Sequence, residues 1–265
     1  MNIKLTLENV YACQFIHSRA MTRADAGATT VEKQRSALHL AAENGAFDVV
    51  QLLLSLGDVD VDALDSTGTT SLALASNEGH MDVLQVLVAA GANINVQNTD
   101  GSSALHRCTA LHLACYGGHA QAAKQLVEAK GDLTIRDANG ATALHAGCYK
   151  GYSNVLQALL ECNDQVNVQT KRGRSPLHHA ASNGHHDVVQ LLLTAGAYVE
   201  CVDLNKSTAL HGACGRGHGD IVAVIVAAKA NVNMRDNTGE TPLAAACKEG
   251  HAHIAEFLRQ HGALT

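Results

Sequence analysis

Residues Ser175 to Gly196 read SPLHHAASNGHHDVVQLLLTAG, and this stretch decides the fold. The Ser175 hydroxyl suits a helix N-cap, and Pro176 suits the first helical position, where no amide hydrogen is needed. Leu177, Ala180 and Ala181 then form a short apolar stripe whose small residues let a neighbouring helix come close. Asn183-Gly184 ends that helix, because glycine tolerates a left-handed turn. Val188, Val189, Leu192 and Leu193 fall at i, i+1, i+4 and i+5, which is one face of a second helix. Gly196 stops it. The unit is a helix, a turn and a helix.

The same unit recurs down the chain. Its opening Ser or Thr stands at Ser36, Thr70, Thr109, Thr142, Ser175, Thr208 and Thr241, with a step of 33 residues from Thr109 onward. A fixed stride in this range calls for a repeat architecture before any other fold. Thr-Ala-Leu-His at Thr109, Thr142 and Thr208, and Ser-Pro-Leu-His at Ser175, match the opening of the ankyrin motif. The chain resembles an ankyrin-repeat array of seven copies, from Ser36 to Thr265. The resemblance implies an all-α solenoid of stacked helix-turn-helix units joined by short β-hairpin fingers, preceded by an N-terminal segment over residues 1–35.

Composition agrees with thin stacked helices. Aromatic residues make up 3% of the chain and Trp is absent, so Ala, Leu and Val must fill the core. No run of 18 apolar residues suggests a membrane span. The opening residues lack the apolar segment of a secretory signal, so a cytoplasmic or nuclear location is expected. The formal charge of −6 has the wrong sign for a nonspecific phosphate binder. Residues 1–100 hold 5 Lys/Arg against 12 Asp/Glu and the remainder 14 against 13, so the acidity lies in the N-terminal part.

Cys115, Cys148, Cys214 and Cys247 share one position of the repeat, where other copies carry Ala42, Ser76 and Ala181. A position that accepts Ala, Ser or Cys is a tight packing site, so these thiols are expected to be buried and structural. The 16 histidines fall mostly in two repeat positions. His39, His112, His145, His178 and His211 stand three after the opening Ser or Thr. His80, His119, His185, His218 and His251 follow the glycine of the turn. Equivalent residues one repeat apart are too distant to share a metal ion, and no metal or cofactor is expected. Cys148 with His145 is a nucleophile pair on paper only, because a reactive thiol needs exposure.

Three departures from the repeat carry expectations. Residues 1–35 do not fit it and are read as an irregular cap. Ser103–Cys108 duplicates the opening that follows at Thr109, so six extra residues must enlarge the loop or lengthen the helix start. The glycine that ends the second helix is replaced by Lys130, Asn163 and Lys229. A side chain in a left-handed turn costs roughly 1 kcal/mol, so the third, fourth and sixth repeats should be weaker than the fifth.

The resemblance also implies where a partner sits: the first helices and fingers line a concave groove that commonly binds protein. Carried over by position, Tyr116, Tyr149, Lys150 and Arg216 face that groove, and Arg136, Lys171, Arg172, Arg174 and Arg235 lie on the fingers. Tyr and Arg are the side chains that most often carry interface energy. The expected function is therefore noncatalytic protein–protein interaction by a monomer, with an acidic or phosphorylated partner segment. A nucleic-acid-associated regulator and an unrecognised enzyme are the rival readings. Asn95, Asn167 and Asn233 stand where ankyrin asparagines can be hydroxylated, which would make the chain a substrate.

Overall fold

The computed structural model describes residues 34–99, 107–161 and 165–264. The expected cap at residues 1–35 therefore lies outside the described residues except for Gln34 and Arg35, as does Asn163. The chain divides into two compact units, Met1–Ala138 and Asn139–Thr265. The first unit contains helices α1 (Ala37–Glu43), α2 (Phe47–Ser55), α3 (Ser71–Glu78), α4 (Met81–Ala89), α5 (Ala110–Gly117) and α6 (Ala120–Glu128). The second contains α7 (Ala143–Lys150), α8 (Ser153–Leu160), α9 (Pro176–Ser182), α10 (His186–Thr194), α11 (Ala209–Arg216), α12 (Gly219–Ala227), α13 (Pro242–Lys248) and α14 (Ala252–Gln260).

Within each unit the packing is two-layered. First helices pack on first helices (α1 on α3, α3 on α5; α7 on α9, α9 on α11, α11 on α13), and second helices do the same behind them. The core repeats accordingly. Leu38, Leu72 and Leu111, then Leu144, Leu177, Leu210 and Leu243, are all buried at one position of the first helix. Leu53, Leu87, Leu126, Leu159, Leu192, Ile225 and Leu258 do the same in the second helix. Each such burial contributes about 1.5–3 kcal/mol.

The histidines explain how the repeats are stitched. The Ser36 backbone N–H donates to His39 Nδ1 at 3.2 Å, and Ser36 Oγ lies 2.7 Å from the same nitrogen. Because a backbone N–H can only donate, Nδ1 carries the lone pair and Nε2 carries the proton. Nε2–H then donates at 3.0 Å to the carbonyl of Thr69, the residue just before the next repeat opens at Thr70. His178 and His211 repeat this with the Ser207 and Glu240 carbonyls, at 3.0 and 3.2 Å. It is a capping box in which imidazole takes the place of a carboxylate. Burial pushes the pKa of His39, His178 and His211 below the ordinary histidine value. Ala73 and Ala244 replace this histidine in the second and seventh repeats, which keep only the Thr cap.

The second histidine set closes the other side of each repeat. The Gly79 turn has φ +77°, and a Cβ there would lie 2.3 Å from His119 Nδ1. His119 Nε2 donates to the Asn77 carbonyl at 2.8 Å, and His185 donates likewise to Tyr149 at 3.0 Å. The asparagines at the repeat ends also have structural duties. Asn95 Oδ1 accepts from Asp132 N–H, Asn167 Oδ1 from Tyr198 N–H and Asn233 Oδ1 from Leu264 N–H, at 2.8, 2.7 and 2.8 Å.

The fingers are hairpins in their tightest form. Asp203 N–H donates to the Ser207 carbonyl at 2.9 Å and Asp203 Oδ1 accepts from Ser207 N–H at 3.0 Å. Only a few residues separate the two sides, so among the described residues of the second unit pairing is limited to one isolated bridge, Val202 to Thr208. Neighbouring tips are linked, as from Leu204 N–H to the Arg172 carbonyl at 3.0 Å. The Ser103–Cys108 insertion lies outside the described residues except for Arg107 and Cys108, which keep the same pattern. Asn98 bonds Cys108 as Asp65 bonds Thr69, and Arg107 at φ +61° stands where Gly68 has φ +68°. Downstream of it α5 keeps its register, opening at Ala110 directly after the Thr109 cap.

Lys130 and Lys229 both adopt φ +69°, where Gly91, Gly196 and Gly262 have φ +86° to +88°. The two described glycine replacements thus sit in left-handed turns. Lys206, at φ +56°, is a further case in a finger.

Candidate functional site

The first helices and fingers of the second unit present the richest set of side chains. The fourth residue of the first helix is Ala146, His179, Gly212 and Ala245 in successive repeats, and the seventh is Tyr149, Ser182, Gly215 and Lys248. Tyr149 is 48% exposed. Its ring meets His179 edge-on with centroids 6.1 Å apart, and His179 meets His145 edge-on at 5.7 Å. Such contacts fix the ring and preorganise the tyrosine. His179 Nε2 is buried and has no hydrogen-bond partner among the described residues. Burial first, then the charges of Arg174 and His178, push its pKa down to about 4. The imidazole is therefore neutral at physiological pH. Sequence reasoning missed His179, because no local signal shows that its ring packs against Tyr149 and His145.

The cations fall into distinct settings. Lys171, Arg172 and Arg235 are exposed on fingers, and the Arg235 guanidinium donates to the Gly239 carbonyl at 2.8 Å. Arg174 reaches Asp203 at 3.7 Å with its side chain 44% exposed. Lys150 and Arg216 occupy the last turns of α7 and α11, where the helix dipole favours positive charge. Arg174 and Arg216 border one open recess of about 260 Å³, together with Ser182, Gly212, Gly215 and Lys248. Arg235 is not among the residues lining that recess. Tyr116 and Arg136 belong to the first unit, where Tyr116 is half-buried on α5 and Arg136 is exposed beyond α6.

The chemistry of the thiols is quiet. Cys115, Cys148 and Cys214 are fully buried, and burial pushes the Cys108 and Cys214 thiols up to about 12. No thiolate forms at Cys108, Cys115 or Cys214 at neutral pH, and His145, one turn before Cys148, has Nδ1 on Thr142 and Nε2 on the Arg174 carbonyl. Cys247 departs from the expectation for its position: it is exposed. In earlier repeats of the unit the next first helix packs over this position, and among the described residues no first helix follows α13. No three His, Cys, Asp or Glu side chains among the described residues converge as a metal site. No helix among them is long and apolar enough to cross a membrane.

Comparison with known proteins identifies the repeat. The family model for ankyrin repeats (3 copies) matches residues 7–98, 97–170, 149–236 and 177–264. The chain is 45% identical over 62 residues to ankyrin repeat domain-containing protein 29 of Danio rerio, covering 23% of this chain and 21% of that protein. It is 31% identical over 108 residues to the E3 ubiquitin-protein ligase KEG of Arabidopsis thaliana, covering 41% of this chain and 6% of that protein. It is 42% identical over 72 residues to the B-cell lymphoma 3 protein homolog of Mus musculus, covering 27% and 16%. The chain thus spans no more than about a fifth of the length of these relatives, and what they share with it is the repeat. Ankyrin repeats generally mediate protein–protein contact and are typically not enzymes. With the helix pairs, the histidine stitching and the family model in agreement, this chain belongs to the ankyrin-repeat family.

Proposed function

We propose that the chain is a noncatalytic interaction module that grips another protein through the first helices and fingers. The observation that carries this is Tyr149, a half-exposed aromatic held edge-on by His179, in the unit whose fingers expose Lys171, Arg172 and Arg174. A preorganised tyrosine among arginines is the side-chain set that interfaces use most. The finger cations favour an acidic or phosphorylated partner segment, because arginine forks onto carboxylate and phosphate oxygens. Arg216 and Arg235 extend the positive face within the second unit, and Tyr116, Arg136 and Lys150 are assigned to the same role. The thiols of Cys108, Cys115, Cys201, Cys214 and Cys247 are free, which suits a monomer in a reducing compartment such as cytoplasm or nucleus.

The test is a double substitution, Tyr149→Ala with Arg172→Ala, measured on a partner captured by the intact chain and then purified. Affinity should fall by more than roughly 10-fold with unchanged circular dichroism. Unchanged affinity dismisses this face. A salt-sensitive oligonucleotide complex lost in the same variant would move the assignment to nucleic acid.

A further inference from the structure

Gly215 has no structural reason to be glycine. It lies inside α11 in ordinary helical conformation, and a Cβ built there would meet nothing within 4 Å. Glu43, Asn77, Tyr116, Tyr149, Ser182 and Lys248 occupy the same position in the other repeats. Glycine within a helix costs about 1 kcal/mol relative to alanine, and here that cost leaves an opening. Gly212, one turn earlier, lines the same recess but is packed: a Cβ there would fall 2.3 Å from Ser182 Oγ, so it admits Ser182 close to the helix. The recess of about 260 Å³ above them is small beside the roughly 300–1,000 Å³ of small-molecule sites. It suits one inserted side chain.

The charges around it select that side chain. Lys248 lies 3.5 Å from Glu240, and Arg174 lies 3.7 Å from Asp203. Asp236 Oδ1 is committed to its own turn, accepting from Thr238 N–H, Thr238 Oγ and Glu240 N–H at 2.8, 2.7 and 2.9 Å. Arg216 alone among the recess cations has no carboxylate within ion-pair distance among the described residues. Glu249 holds the equivalent position one repeat on. We propose that the recess over Gly212 and Gly215 receives a carboxylate side chain from an extended segment of a protein partner, with Arg216 as its counter-charge and Glu249 favouring a basic residue next along the segment. This deepens the interaction reading above and rests on it.

The experiment is a selection from a displayed library of unmodified random peptides on the immobilised full chain, with the Arg216→Ala chain as soluble competitor. Enriched peptides should carry Asp or Glu with Lys or Arg to one side. Measured by fluorescence anisotropy, their affinity should fall roughly 10-fold on Arg216→Ala, on Gly215→Leu, and on Glu→Gln or Asp→Asn in the peptide. Gly215→Ala should raise the melting temperature, which shows that substitution here leaves the fold intact. Enriched peptides without an acidic residue, a folded Gly215→Leu chain that binds them unchanged, or a selection that returns no Gly215-dependent peptide would each overturn the proposal. Peptides lost on Tyr149→Ala with Arg172→Ala but indifferent to Gly215→Leu would reject the recess and keep the interaction face.

Discussion

The two units solve the same packing problem and finish their inner faces differently. In the first, the fourth residue of the first helices is Leu40, Leu74 and Leu113, with Leu74 and Leu113 buried. Arg35 joins the Asp65 carboxylate at 3.1 Å and pairs with Glu43, and its side chain is only 11% exposed. In the second, the same position falls to Ala146, His179, Gly212 and Ala245. Arg174, the equivalent of Arg35, makes one longer ion pair and is 44% exposed. The backbone repeat is shared, and the volume of two side chains per helix decides whether the face is filled or open. A filled face serves stability, and an open one leaves groups for a partner.

Acid should separate the units most. His178, His179 and His211 in the second unit and His39 in the first have folded-state pKa values below the unfolded value of about 6.5. The unfolded chain then binds more protons, so this stability is full above about pH 6.5. It is lost as pH falls from there through the folded values, about 4 for His179. His179 alone contributes on the order of 3 kcal/mol to that loss. Local opening energies from hydrogen exchange at about pH 7 and about pH 4.5, corrected for intrinsic rates, should drop further in the second unit. Equal drops would remove the distinction.

The arginine pair gives the next contrast. Arg35→Ala strips a counter-charge from Asp65, whose side chain is fully buried, and should cost about 3 kcal/mol in urea unfolding. Arg174→Ala, at its exposed position, should cost less than about 1 kcal/mol. Similar losses at both sites would mean that the second face is as closed as the first. A smaller effect comes from the turns. Lys130→Gly in the first unit and Lys229→Gly in the second should each stabilise by about 1 kcal/mol, because both lysines sit at φ +69°. Protection of the helices on either side, read by hydrogen exchange, should rise in each variant. No change would mean that another feature sets the strength of those repeats.

Much of this was legible in the residues. The stride, the Ser/Thr caps, Pro176 and Pro242 at helix starts and the buried leucines are local or periodic signals, and the helices follow them closely. The strained turns at Lys130 and Lys229 were legible for the same reason: the neighbouring copies show what belongs there. The candidate face was legible only in part. Tyr149 and Arg174 stood out by residue type. His179, Gly212 and Gly215 did not, because nothing local distinguishes a helical glycine that opens a recess from one that admits a close neighbour. Likewise Cys247 shares the repeat position of Cys148 and Cys214, and only the packing shows that nothing described covers it.

The sequence by itself determined the repeat, its caps and its core, since each depends on contacts within one unit or with the next copy of the same motif. The tertiary structure decided which inner-face positions are filled, which cations are already neutralised and which thiol is exposed. Those properties depend on groups brought together from residues 29 to 36 apart, as His211 meets the Glu240 carbonyl or His185 the Tyr149 carbonyl, and no single helix pair contains both partners.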